Sequence, residues 1–224
     1  AYELSRYTKA LNLQRVQDKV QSIASTAALD INTKDLAALQ TANDYKKPEW
    51  ARIVNQLRNI RLHNEHLLFV YILRKSPTNP NQLQFQADAD SLDPFANTDN
   101  DPTNNVDLNG DGKIDEHDEL SPPNGPYETA PPEAFEGFVR ATTNKDFYTD
   151  QWSTMLSGYA PIKDGSGHVV AVLAADYSAA DFERLSRVSM WPCIVVGILL
   201  MIFIILRCFA LQKSCKLMHF TKQS

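Results

Sequence analysis

From Tyr2 to about Ala28, apolar residues recur at steps of three to five: Leu4, Tyr7, Leu11, Val16, Val20, Ile23 and Ala27, with no Gly or Pro between them. A stripe near the 3.6-residue period predicts a long amphipathic helix with one buried face. Thr33 is placed to cap a short helix through Leu36 and Leu39. Pro48 suits the first turn of a third helix carrying Trp50, Ile53, Val54, Leu57 and Ile60. The period then changes. Leu67–Arg74 is a short run of branched and aromatic residues, which reads as a well-buried strand. Leu83–Asp90 sets Leu83, Phe85, Ala87 and Ala89 against Gln84, Gln86, Asp88 and Asp90, the alternation of a half-buried strand. Thr154–Ile162 and His168–Tyr177 read as two more strands, joined through Lys163–Gly167 with an Asp-Gly hairpin signal. Ala179–Val188 returns to helix. Helices segregated from consecutive antiparallel strands give an α+β fold class.

The strongest single feature follows. Val188–Leu206 is 19 residues without a charge, bounded by Trp191 near one end and Arg207 at the other. At about 1.5 Å per residue it spans a hydrocarbon core of roughly 30 Å. A buried core helix is the alternative, although such a helix seldom runs so long without a polar face. Before the run, 18 basic residues stand against 27 acidic ones, a net charge of −9; after it come four basic residues and no acid. The positive-inside tendency makes 207–224 a basic cytoplasmic tail, 188–206 a transmembrane helix, and 1–187 an external domain. That domain contains no cysteine, since Cys193, Cys208 and Cys215 all lie in or after the run, so a hydrophobic core must hold it. Its acidic balance argues against nucleic acid and makes cations natural ligands. The chain opens on Ala1 with no targeting segment, and reads as either mature or excised from something longer.

Residues 88–119 hold eleven acids and a single base, Lys113. Within them Asp107, Asn109, Asp111, Asp115 and Asp118 set oxygen donors at positions 1, 3, 5, 9 and 12 of a loop, with Gly112 at position 6 and the Lys113 carbonyl at 7. Hard oxygen ligands at that spacing predict calcium. With Asp instead of Glu at the last position, these twelve residues resemble the calcium loops of dockerin modules. Ser121-Pro-Pro-Asn-Gly-Pro follows at once and forbids a second helix. The alternative is a solvated acidic insert.

Trp152–Leu185, WSTMLSGYAPIKDGSGHVVAVLAADYSAADFERL, resembles the C-terminal half of a Cache sensor domain. Asn55–Arg74 (NQLRNIRLHNEHLLFVYILR) resembles that family's helix and first sheet strand, and Phe85–Asp90 (FQADAD) its second. The resemblance implies a long N-terminal helix packed on a PAS-like antiparallel sheet, with a small-molecule pocket on one face. The insert of about 91–133 departs from the pattern. The resemblance further implies a bacterial receptor in the inner (cytoplasmic) membrane, with 1–187 on the periplasmic or extracellular side. It would act as a homodimer and drive a kinase, cyclase or chemoreceptor output domain outside this chain.

For the pocket, Asp176 falls on the strand face of Val170, Val172 and Ala174, where an unpaired carboxylate is costly. Tyr71, Arg74, Tyr148, Trp152 and Tyr159 are candidates for aromatic walls and a charged partner. Tyr71 and Tyr159 have core packing as an equal alternative, and Arg74 a surface role. The arginine-aromatic-aspartate set of amino-acid receptors is not evident, so the ligand stays open. Two other functions compete. Catalysis in this chain lacks a nucleophile elbow, an HExxH helix or a P-loop. Calcium-dependent adhesion or scaffolding predicts several aspartate loops, and only one is present.

Overall fold

The computed structural model describes residues 2–221; for Tyr2, Leu4, Ser5, Cys193 and residues 210–221 it gives the backbone alone. Two compact units are distinguished. One runs Leu11–Phe182, and the other joins the helix ends, residues up to Ala10 and from Glu183 onward. Within the second, the Lys9 ammonium lies 3.4 Å from a Glu183 carboxylate oxygen.

The larger unit is α+β. Helix α1 (Tyr2–Asp30) enters it and is followed by α2 (Thr33–Ala37) and α3 (Pro48–Leu62). Asn32 caps α2, accepting from the backbone N–H groups of Lys34 and Asp35, so the predicted cap at Thr33 is displaced by one residue. Pro48 opens α3 at its first turn. Strands β1 (Leu67–Lys75), β2 (Leu83–Asp88), β6 (Thr154–Lys163) and β7 (Val169–Ser178) are the long members of a seven-stranded antiparallel sheet. Three two-residue strands, β3 (Pro126–Tyr127), β4 (Thr142–Thr143) and β5 (Tyr148–Thr149), and the short helix α4 (Pro132–Glu136) had no signal in the sequence pattern. Strand order is β3-β2-β1-β7-β6-β4, with β5 also on β6, so the first and last long strands meet at the centre of a PAS-like sheet.

One face of the sheet carries α1, α2 and α3, while the short α4 packs on the other against Tyr159 and Val172. Val16, Val20, Ala24, Ala27 and Ala28 form the buried stripe of α1, while Tyr7 and Leu11, which the pattern placed on it, are exposed. Contact is close: a Cβ at Gly158 of β6 would lie 2.5 Å from the Val20 carbonyl carbon. Only glycine permits that approach. Trp50 of α3 is fully buried on this side, its indole N–H donating to the carbonyls of Ser91 (3.1 Å) and Leu92 (3.0 Å).

Two local readings change. In β2 the register slips between Ile72↔Ala87 and Leu73↔Phe85, leaving Gln86 as the extra residue of a β-bulge. Strict alternation therefore stops at Phe85. Ala87 and Ala89 join the helix-side core, and Asp88 turns to the opposite face beside Phe85. In the β6–β7 turn the left-handed residue is Gly167 (φ +88°), not Gly165 of the Asp-Gly pair. Asp164 instead accepts the N–H groups of Ser166 and His168.

Helix α5 (Ala179–Thr221) follows β7 without a break. By length and composition its segment Ala179–Phe209 is able to cross a membrane, and none of its most apolar window is buried by protein. Exposed apolar surface on that scale calls for a covering that water does not supply.

Candidate functional site

The opposite face of the sheet is built differently. Pairing sets Phe69, Asp176 and Ser157 in one row across β1, β7 and β6, and Tyr71, Ala174 and Tyr159 in the next. The small Ala174 between two tyrosines leaves space in front of the sheet. Loops close that space from outside, bringing Leu108, Glu119, Leu120 and Ser121 of the insert over it, with Tyr127, Asp150 and Trp152 at the sides. About 30 Å³ stays free, room for one or two waters.

Its lining is aromatic and acidic. Phe69, Tyr71, Phe85, Tyr127 and Trp152 supply rings, with Phe85 and Tyr127 4.9 Å apart and Trp152 edge-on to Phe85 at 5.7 Å. Asp88, Asp90, Glu119, Asp150 and Asp176 supply carboxyl groups, and no Lys, Arg or His is among the lining residues. Arg61 lies behind and neutralises Asp90.

Asp176 is 1% exposed. Burial is the main reason its pKa is pushed up to about 8. The Ser157 and Tyr71 hydroxyls pull the other way, and Asp150 and Asp88 push further up. Tyr71 donates to it over 3.5 Å. Asp88 is also raised, by burial first and then by Asp90. A hydroxyl relay runs beside the pair. Tyr148 meets Ser157 at 3.0 Å, Tyr127 at 3.2 Å and Tyr159 at 3.4 Å, and Tyr127 donates to Asp150 over 3.2 Å. Burial raises all four phenols, so they stay neutral donors.

Of the residues singled out from the sequence, Tyr71, Trp152 and Asp176 line the cavity, and Tyr148 and Tyr159 join its hydroxyl relay. Arg74 does neither. Three residues beyond Tyr71 on a strand, it points to the helix side, where it bonds the carbonyls of Leu39 (3.3 Å) and Gln40 (3.2 Å) and the Asn124 side chain. Tyr127, Asp88, Asp150 and Ser157 were missed. Asp88 was on the wrong face in the alternating pattern, Tyr127 sits in the irregular insert, and nothing local marks Ser157 or Asp150.

In the aspartate loop the side chains turn back on the backbone. Asp107 accepts from Gly110 (2.6 Å) and Gly112 (2.8 Å), Asn109 from Asp111 (2.8 Å), Asp111 from Lys113 (2.8 Å), and Asp115 from His117 (2.9 Å). Asp118 is fully buried and accepts from Leu108 (2.8 Å) and Asp115 (3.1 Å). Among the described residues no three His, Cys, Asp or Glu side chains converge as a metal-binding group.

No protein-family model matches the chain, and no curated protein matches it in sequence. Solved structures similar to it include the ligand-binding domain of the Campylobacter jejuni chemoreceptor Tlp3 in complex with L-valine. The identity is 13%, the TM-score is 0.45, and 82% of this chain and 60% of that one are covered. The same domain with isoleucine bound gives 13%, 0.44, 82% and 60%. The extracellular domain of a protein named as a histidine kinase, mmHK1S-Z2, gives 16%, 0.38, 78% and 57%. The chain thus spans about three fifths of these domains, and likeness at this level fixes neither family nor ligand.

Proposed function

We propose that residues 1–187 are the Cache-like sensing ectodomain of a membrane receptor. It takes a small molecule with a positively charged end into the cavity over Asp176. The signal passes through the transmembrane helix to an output domain outside this chain. The observation that carries this reading is a partly open aromatic cavity with five acidic and no basic lining residues, on a sheet whose last strand runs straight into the apolar helix α5. Buried carboxyl groups without a counter-charge are costly, and an ammonium group facing Phe85, Tyr127 and Trp152 supplies both charge and ring contact. Binding a cation ionises Asp176, so it releases protons below about pH 8. Under this reading the chain is anchored in the inner membrane with its ectodomain outside and works as a homodimer.

Titration calorimetry with small primary amines against the matching alcohols and carboxylates tests the cavity. Amines are expected to bind the 224-residue chain, to lose at least tenfold in affinity in Asp176→Asn, and to release protons at pH 7. Equal binding of the alcohols, or binding confined to carboxylates, overturns the charge assignment.

Calcium in the aspartate loop is the second element of the proposal. The donors are hard oxygens at suitable spacing, and Gly112 adopts the left-handed turn (φ +82°) that position 6 requires. Each side-chain oxygen that accepts a backbone N–H keeps a lone pair for an ion. Asp107, Asn109, Asp111, Asp115 and Asp118 and the Lys113 carbonyl would hold it. Since Leu108 of the loop lines the cavity, the ion would also firm one wall of the ligand site. A melting temperature that is the same in calcium and in EGTA removes this element and leaves the cavity reading intact.

A further inference from the structure

The cavity as it stands admits one or two waters, so any larger ligand must move part of its wall. The walls are not equally stiff. Phe69, Tyr71 and Asp176 of the lining, and the relay residues Ser157 and Tyr159 beside them, stand on β1, β6 and β7, which are nine or ten residues long and paired along most of their length. Tyr148 stands on β5, two residues long and paired only with β6, between exposed Asp146 and exposed Thr149. A short edge strand with exposed neighbours opens at the lowest free energy. Tyr127 stands on another two-residue strand, β3, which pairs with β2 at the opposite edge of the sheet.

What distinguishes β5 is its other face. Successive side chains of an extended segment point to opposite sides. Tyr148 turns its hydroxyl to Ser157, Tyr127 and Tyr159. Its neighbour Phe147 turns away, into the helix-side core, and meets Phe182 with ring centroids 4.8 Å apart. Phe182 is in the first turn of α5 and is 7% exposed.

We propose that the Phe147–Tyr148 pair transmits occupancy of the cavity to the first turn of α5. A group that competes for the Tyr148 hydroxyl turns the two-residue segment, and Phe147 shifts against Phe182. The device has two states, differing in whether Tyr148 bonds to the relay or to the ligand, and a ligand biases them through that difference alone. Tyr148 is thus a positioning residue for the output helix, joined to the cavity lining through the Tyr127 hydroxyl. The inference rests on the cavity being the ligand site, and its test is made without ligand, so that its failure and a failure of ligand binding are separate results.

The experiment is native-state amide exchange on the 224-residue chain in lipid nanodiscs. It follows Glu183–Arg187, in the second turn of α5, with Arg52–Leu57 of α3 as the control. Tyr148→Phe removes one oxygen from the hydroxyl relay and keeps the Phe147 and Phe182 rings. It is expected to change exchange at Glu183–Arg187 about threefold or more, the worth of about one hydrogen bond, and to leave α3 unchanged. In a Phe147→Leu background, Tyr148→Phe is expected to have no effect on α5. If Phe147→Leu fails to fold, Phe182→Leu breaks the same contact from the other side. No change at α5, an equal change in α3, or the same change with the ring contact broken each overturns the proposal.

Discussion

The two faces of the sheet solve different problems with the same strands. On the helix side, β6 and β7 present Leu156, Ala160, Ile162, Leu173 and Ala175 to α1 and α3. Packing there is close enough that the backbone of α1 touches Gly158. On the cavity side the alternate residues of these strands include Ser157, Tyr159 and Asp176, and the cover is made of loops, two-residue strands and the short helix α4. One face gains stability by excluding water and leaving no gap. The other buries the acidic Asp88 and Asp176 and several hydroxyls under a cover of short elements. The sensing role proposed above would use both, because a ligand can shift only a part that is held weakly against a part that is held firmly.

The comparison can be broken most severely on the helix side. Trp50→Ala empties a fully buried site and orphans two carbonyls, and it is expected to lower unfolding free energy by about 3–5 kcal/mol, read from urea unfolding. Gly158→Ala forces a methyl into the α1 backbone and is expected to cost about 3 kcal/mol. A loss below about 1 kcal/mol there would mean the two layers slide freely.

Asp176→Asn is expected to act in the opposite direction. The folded pKa of Asp176 is raised to about 8 from an ordinary value of 3.8, so the folded state holds the proton more tightly than the unfolded one. Its contribution is complete below pH 3.8 and is lost as pH rises toward 8. The variant should therefore match the wild type near pH 3.5 and exceed it by at least about 1 kcal/mol at pH 9. A wild-type curve that is flat across that window contradicts the raised pKa. The smallest effect belongs to Tyr127→Phe, which removes one bond to Asp150 and one contact with Tyr148 and should cost about 0.5–1.5 kcal/mol, with the cavity ligand weakened more than the fold.

Periodicity was enough to place α1, α3 and the four long strands within a residue or two, because each buries a continuous face and the pattern of that face is local. It also exposed Asp176 as a carboxyl group on an apolar face. The short elements escaped it. Strands β3, β4 and β5 are two residues each, too short for any period to register, and they exist because partner strands offer them hydrogen bonds.

The sequence by itself determined the order of elements, the apolar helix with its charge asymmetry, and the concentration of acids between β2 and β6. Only the tertiary structure decided which of those residues meet. A bulge opposite Ile72 and Leu73 turned Asp88 into the cavity, and strand parity carried Arg74 out to Gln40 and Asn124. Folding of the insert brought Tyr127 and Leu108 over the sheet. The physical reason is range. Helix and strand patterns are written by neighbours three or two residues apart, whereas the cavity is assembled by contacts across long stretches of chain, such as the 105 residues between Tyr71 and Asp176, and each depends on a register that a single inserted residue reverses.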